Sequence, residues 1–187
     1  MTSTARDPRL SRLAEIVRRR AVLHGDFTLS SGQKSSYYFD CRKVTHDPEG
    51  VTLVGELVYE ALQGCGAEAV GGPATAANSI VTATQMTSYH RGKPLQAFYV
   101  RSEAKEHGTG KRIEGNLPAA GGKVALVEDA ITSGGSLLGA IEAVEAEGCK
   151  VARVVVLVDR RQGGVDRLRA KGYDVHALLL ADADRIL

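Results

Sequence analysis

Two adjacent carboxylates, Glu128 and Asp129, follow an apolar run (Val124, Ala125, Leu126, Val127) and precede a loop of small and hydroxyl residues, Thr132, Ser133, Gly134, Gly135 and Ser136. A helical pattern begins at Leu137. Loop N–H groups and hydroxyls, backed by the positive end of a helix, suit a monoester phosphate. Carboxylates at the end of the preceding strand can accept hydrogen bonds from two vicinal ribose hydroxyls. The pattern predicts a site for a ribose 5-phosphate. The competing reading is a buried strand with an acidic turn and an ordinary helix start, because Ser and Gly are common at such turns.

The elements that must position these residues alternate. Apolar periodicity predicts a helix over 8–21 with Leu10, Leu13, Ile16 and Val17 on one side, and the run Arg18-Arg19-Arg20 reads as its solvated basic end. Short strands are expected at 26–31 and 36–42, and a helix from Pro48 to about Leu62. Beyond these come strand 68–72, helix 75–89, strand 95–100, loop 101–116, strand 123–128, helix 136–147, strand 151–158, helix 164–171 and strand 174–181. The stretch Val151–Asp159 lacks polar alternation, as in a strand buried on both faces. Strands alternating with helices predict an α/β fold with a mainly parallel central sheet flanked by helices. Ligands bind at the carboxyl ends of such strands. Gly72-Pro73, Arg101, Glu128-Asp129 and Asp159-Arg160 are therefore expected at one edge.

Composition bounds the possibilities. The 187 residues suit one domain, and 43% hydrophobic with 25% charged residues is a globular balance. A net charge of +2 argues against a nucleic-acid binder. Cys41, Cys65 and Cys149 are odd in number and have no metal-ligand spacing, so a reduced, cytoplasmic setting is expected. The N-terminal MTSTARDPRLSR has no apolar signal core, and no segment approaches membrane-spanning length. Glycine, 21 of 187 residues, exceeds the usual share of about 7% and clusters at expected strand ends, where backbone must approach a ligand closely.

Residues 128–136, EDAITSGGS, resemble the phosphoribosyl pyrophosphate (PRPP) motif of type I phosphoribosyltransferases. A second stretch, Phe27 to Asp40 (FTLSSGQKSSYYFD), holds three of the nine aromatics in a row and resembles the N-terminal hood signature of orotate phosphoribosyltransferases. A third, Arg101 to Gly108 (RSEAKEHG), resembles that family's catalytic loop. The three signatures occur in matching order over nearly the whole chain.

The resemblance implies a type I phosphoribosyltransferase fold spanning 1–187, with a helix and hood over about 1–42 and a PRPP-binding core over about 43–187. It implies transfer of phosphoribosyl from PRPP to orotate, giving orotidine 5′-monophosphate for pyrimidine synthesis, with Mg²⁺ as cofactor bound mainly through PRPP. It assigns Glu128, Asp129, Ala130, Ile131, Thr132, Ser133, Gly134, Gly135, Ser136, Arg101, Ser102, Lys105 and His107 to PRPP. Lys105, His107 and Asp129 carry catalytic roles; Tyr38, Phe39, Thr132 and Arg160 face orotate. Lys105 and His107 would reach a neighbouring subunit's site, which implies a homodimer sharing loop 101–116, closed over the reaction to exclude water. Several family members carry lysine at the positions of Ser30, Ala76 and Ser102, and an aromatic at Thr75. Ser30, Thr75 and Ala76 are thus carried over to PRPP binding with fewer direct cations. The alternatives are a phosphoribosyltransferase for another base and a PRPP-sensing regulator of the same fold.

Overall fold

The computed structural model describes residues 7–28, 34–103, 112–182 and 185–186. Two Asp-Pro pairs start helices in it. Asp7 accepts a hydrogen bond from the Arg9 N–H at 2.9 Å at the head of α1 (Pro8–Arg20), and Asp47 accepts one from the Gly50 N–H at 2.9 Å at the head of α3 (Pro48–Ala61). In each, proline fills a first-turn position whose N–H would have no helical partner. Between them lie β1 (Val22–Thr28), β2 (Lys34–Phe39) and the short α2 (Arg42–Thr45). The antiparallel β1–β2 pair forms a two-stranded sheet of its own.

The remaining elements are β3 (Ala69–Pro73), α4 (Asn78–His90), β4 (Gln96–Val100), β5 (Ile113–Gly115), β6 (Lys123–Ile131), α5 (Gly135–Ala146), β7 (Lys150–Asp159), α6 (Gly164–Ala170), β8 (Val175–Asp182) and β9 (Arg185–Ile186). The main sheet runs β5-β4-β3-β6-β7-β8-β9, parallel from β4 to β8 and antiparallel at its two outer strands. Both faces are buried. Ala125 and Val127 of β6 pack with residues of α1, α3 and α4, whereas Val124 and Leu126 pack with residues of α5 and α6. Period-two alternation thus serves two apolar layers, which is why the strand sequences show no polar face. Gly71 sits where any Cβ would run into the buried ring of Phe98, and Gly72 where it would meet the Val127 carbonyl and Ala77.

Several expected boundaries shift. The hairpin strands are Val22–Thr28 and Lys34–Phe39 rather than 26–31 and 36–42. Their register slips between His24 and Phe27, and their faces are largely exposed, so apolar alternation marks them weakly. Helix α4 begins at Asn78, not 75, because residues 74–77 form a turn in which the Asn78 N–H bonds the Thr75 carbonyl at 3.1 Å. The expected loop 101–116 contains β5, which pairs with β4. Strand β6 extends through Ile131, so Glu128, Asp129, Ala130 and Ile131 belong to the strand and only Thr132–Gly134 to the turn.

Candidate active site

Because β4, β3, β6 and β7 are adjacent and parallel, Pro73, Arg101, Glu128-Asp129 and Asp159-Arg160 come to the same carboxyl edge. The turn after β6 leads into α5 through Gly134, whose φ of 78° is left-handed and favours glycine. Gly134 offers no capping side chain, so the first-turn N–H groups of α5 are available to an external acceptor, and the helix dipole favours an anion there. Ser133, Gly135 and Ser136 are exposed beside them. The start of α6 supports the turn from below: a Cβ on Gly164 would strike the Thr132 carbonyl.

Alternation along β6 sends the two carboxylates to opposite faces. Glu128, 7% exposed, turns toward α5 and shares a hydrogen bond with Ser136. Burial, reinforced by the charge of Asp129, pushes its carboxyl up to about 8, with Ser136 opposing. Asp129 turns toward the hood side, where Arg42 and Asp40 act on it. Its Oδ1 accepts from the Ala130 N–H at 2.7 Å, and burial holds its carboxyl above the usual range.

On that same hood side lies Arg160. Its Cζ stands 5.4 Å from the centre of the Tyr37 ring and 5.2 Å from that of Phe39. Its Nε and Nη2 are buried and bond to none of the described residues. A buried guanidinium with two unmet donors is costly, and a planar carboxylate would satisfy both through a bidentate pair. Next to it, Asp159 is occupied as an acceptor, taking the Arg161 N–H at 2.8 Å.

On the α5 side, a cavity of about 270 Å³ lies between the ends of β3 and β4 and the first turns of α5. Arg101, Ser102, Arg112 and Ser136 line it. Arg101 pairs with Glu114 at 3.2 Å. The site therefore has a phosphate-type turn, two carboxylates, a cationic cavity on one side and an aromatic-backed guanidinium on the other.

Comparison with known proteins agrees with this geometry. The phosphoribosyl transferase domain family matches residues 49–175. The orotate phosphoribosyltransferase of Bradyrhizobium sp. (strain ORS 278) is 40% identical over 174 residues, covering 91% of this chain and 94% of the relative. The chain belongs to the orotate phosphoribosyltransferase family. Two crystal structures of Mycobacterium tuberculosis orotate phosphoribosyltransferase superpose over 95% of this chain and 98% of theirs. The Fe(III) dicitrate complex has a TM-score of 0.82 at 38% identity, and the PRPP complex 0.78 at 35%.

Of the residues the sequence singles out, Ser30, Lys105 and His107 lie outside the described residues. Thr75 and Ala76 lie in the turn after β3, and Ser102 in the cavity wall. Phe39 is 6% exposed and packs edge-on against Tyr37, ring centres 5.7 Å apart. Tyr38, 37% exposed, stands on the other face of β2 against Phe27, also 5.7 Å away. Sequence reading overlooked Tyr37 and Arg112. Alternation along β2 is a signal that pairs Tyr37 with Phe39; Arg112 had none, because only the β4–β5 pairing carries it to the cavity. Among the described residues no helix is long and apolar enough to cross a membrane.

Proposed function

We propose that this protein transfers the 5-phosphoribosyl group of PRPP to orotate, giving orotidine 5′-monophosphate and pyrophosphate in pyrimidine synthesis. The observation that carries this reading is the Arg160 guanidinium, with two buried donors unmet and Tyr37 and Phe39 beneath it, on the sheet edge that also holds the Thr132–Ser136 turn. A flat heterocycle bearing a carboxylate suits the first, and a ribose 5-phosphate suits the second.

In this reading the turn and the first N–H groups of α5 hold the 5-phosphate, while Glu128 and Asp129 accept from the ribose hydroxyls. The bond from ribose carbon 1 to the diphosphate oxygen breaks, the oxygen keeps the electron pair, and orotate N1 bonds to the carbon through a cation-like transition state, as in glycoside cleavage. The N1 proton is acidic enough to pass to water or to the departing diphosphate without a strong base. Asp129 and Glu128, when ionised, favour the cationic sugar, and Arg101 favours the departing diphosphate.

Mg²⁺, held mainly through the oxygens of PRPP, would neutralise the charge of the diphosphate. Lys105 and His107 are assigned from the sequence signature to charge stabilisation and proton handling in a partner subunit's site, within a homodimer sharing loop 101–116.

The test is to mix protein, Mg²⁺, PRPP and orotate and follow loss of orotate's ultraviolet absorption, with uracil, hypoxanthine and adenine as parallel acceptors. Orotate consumption that needs both PRPP and Mg²⁺ supports the assignment. Turnover of another base refutes the acceptor, and PRPP binding without turnover points to a regulator.

A further inference from the structure

Arg112 fills none of the roles assigned above, yet its side chain lines the cavity on the α5 side together with Arg101, Ser102 and Ser136. Two neutral acceptors hold it there. Its Nε donates to the Arg101 carbonyl at 3.2 Å, and its Nη2 donates to the Gly139 carbonyl of α5 at 3.3 Å. The second guanidinium in the cavity wall is differently placed: Arg101 shares its charge with Glu114 at 3.2 Å. Among the described residues no carboxylate forms an ion pair with Arg112. A guanidinium aimed by carbonyls keeps its full positive charge, and its rigid fork is positioned before any ligand arrives.

We infer that Arg112 binds the diphosphate of PRPP and stabilises it as it leaves, as the principal fixed cation of this cavity. This rests on the phosphoribosyl-transfer reading. In that reading the Thr132–Gly134 turn and the start of α5 take the 5-phosphate, and the cavity borders Ser136 in the first turn of α5, so it is placed for the second anionic group of the same ligand. Arg112 also joins two elements, the β4–β5 pair and α5, so a charge there is carried by the framework of the sheet.

The test compares parent protein, Arg112→Gln and Arg112→Lys by calorimetric binding of inorganic pyrophosphate with Mg²⁺ and, separately, of ribose 5-phosphate, alongside the KM for PRPP and the melting temperature. Loss of one charge-assisted contact predicts roughly ten- to a hundredfold weaker pyrophosphate binding and a KM for PRPP raised to match in Arg112→Gln. Ribose 5-phosphate affinity and melting temperature should stay at the parent values, and Arg112→Lys, which keeps the charge, should bind pyrophosphate more tightly than Arg112→Gln. Equal weakening of both ligands overturns the proposal, since a merely structural strut would produce that. Unchanged pyrophosphate binding in Arg112→Gln, or equal weakness in the Lys and Gln variants, overturns it as well. A parent protein that binds neither PRPP nor pyrophosphate refutes the phosphoribosyl-transfer reading itself, whereas the other failures fall on Arg112 alone.

Discussion

Glu128 ties the ionisation of the site to the stability of the fold. Its carboxyl, 4.5 in a solvated chain, is pushed up to about 8 by burial against α5. The folded protein therefore retains a proton that the unfolded chain has already lost. Stability is fully present below the unfolded value and is lost as pH rises toward the folded one, by about 1.4 kcal/mol per pH unit. From about pH 6 to about pH 8 the loss integrates to about 2 kcal/mol, flattening as Glu128 ionises in the folded state too. For a chain of this length, about 2 kcal/mol corresponds to a fall of roughly 4–8 °C in melting temperature. Replacement by glutamine keeps the shape and removes the ionisation. Melting curves of the parent and Glu128→Gln across that range, without ligand, should converge toward acid pH and separate toward alkaline pH, the variant melting higher. Two parallel curves would refute the argument, because other titrating groups contribute equally to both proteins. In the proposed mechanism the same carboxyl meets the ribose as a carboxylate, the form that favours the cation-like sugar. PRPP binding near pH 7 should thus release close to one proton per site, read by calorimetry in two buffers of different ionisation enthalpy, and the Gln variant should lose that release.

Four further outcomes follow from named residues. Arg160→Gln should weaken orotate binding about ten- to a hundredfold by removing a charge-assisted pair, with PRPP binding intact; equal loss of both ligands in equilibrium binding would make the arginine structural. Lys105→Ala should lower kcat far more than it weakens PRPP binding, and an unchanged kcat rejects its role. Mixing Lys105→Ala with Asp129→Asn subunits should restore activity that neither variant has alone if loop 101–116 is shared, since one site per mixed dimer is then intact; no recovery would place the loop in its own subunit's site. Gly71→Ala drives a methyl into the buried Phe98 ring. It should cost about 1–3 kcal/mol, seen as a lower melting temperature, and a parent-like melting temperature would show that β3 can shift.

What was legible in the sequence is what is local. The stretch Thr132–Ser136 is contiguous, so its turn and helix start are legible from residue types alone, and strand-helix alternation brings Arg101, Asp129 and Arg160 to one edge before any coordinate is known. What stayed hidden depends on facing and on pairing. The adjacent acids Glu128 and Asp129 read as one unit, yet the pleat commits them to different neighbours, Ser136 and the hood. The same pleat decides that Tyr37, and not Tyr38, shares the face of Phe39 and Arg160. Arg112 immediately precedes three residues that pair with β4, a long-range contact without an apolar signature. On the proposed reading, the pleat of β6 divides the site between two substrates: the α5 side gathers Glu128, Ser136 and the cationic cavity for PRPP, and the hood side gathers Asp129, Phe39 and Arg160 for the acceptor. In that reading the ribose, reached by both acids, is where the two halves meet.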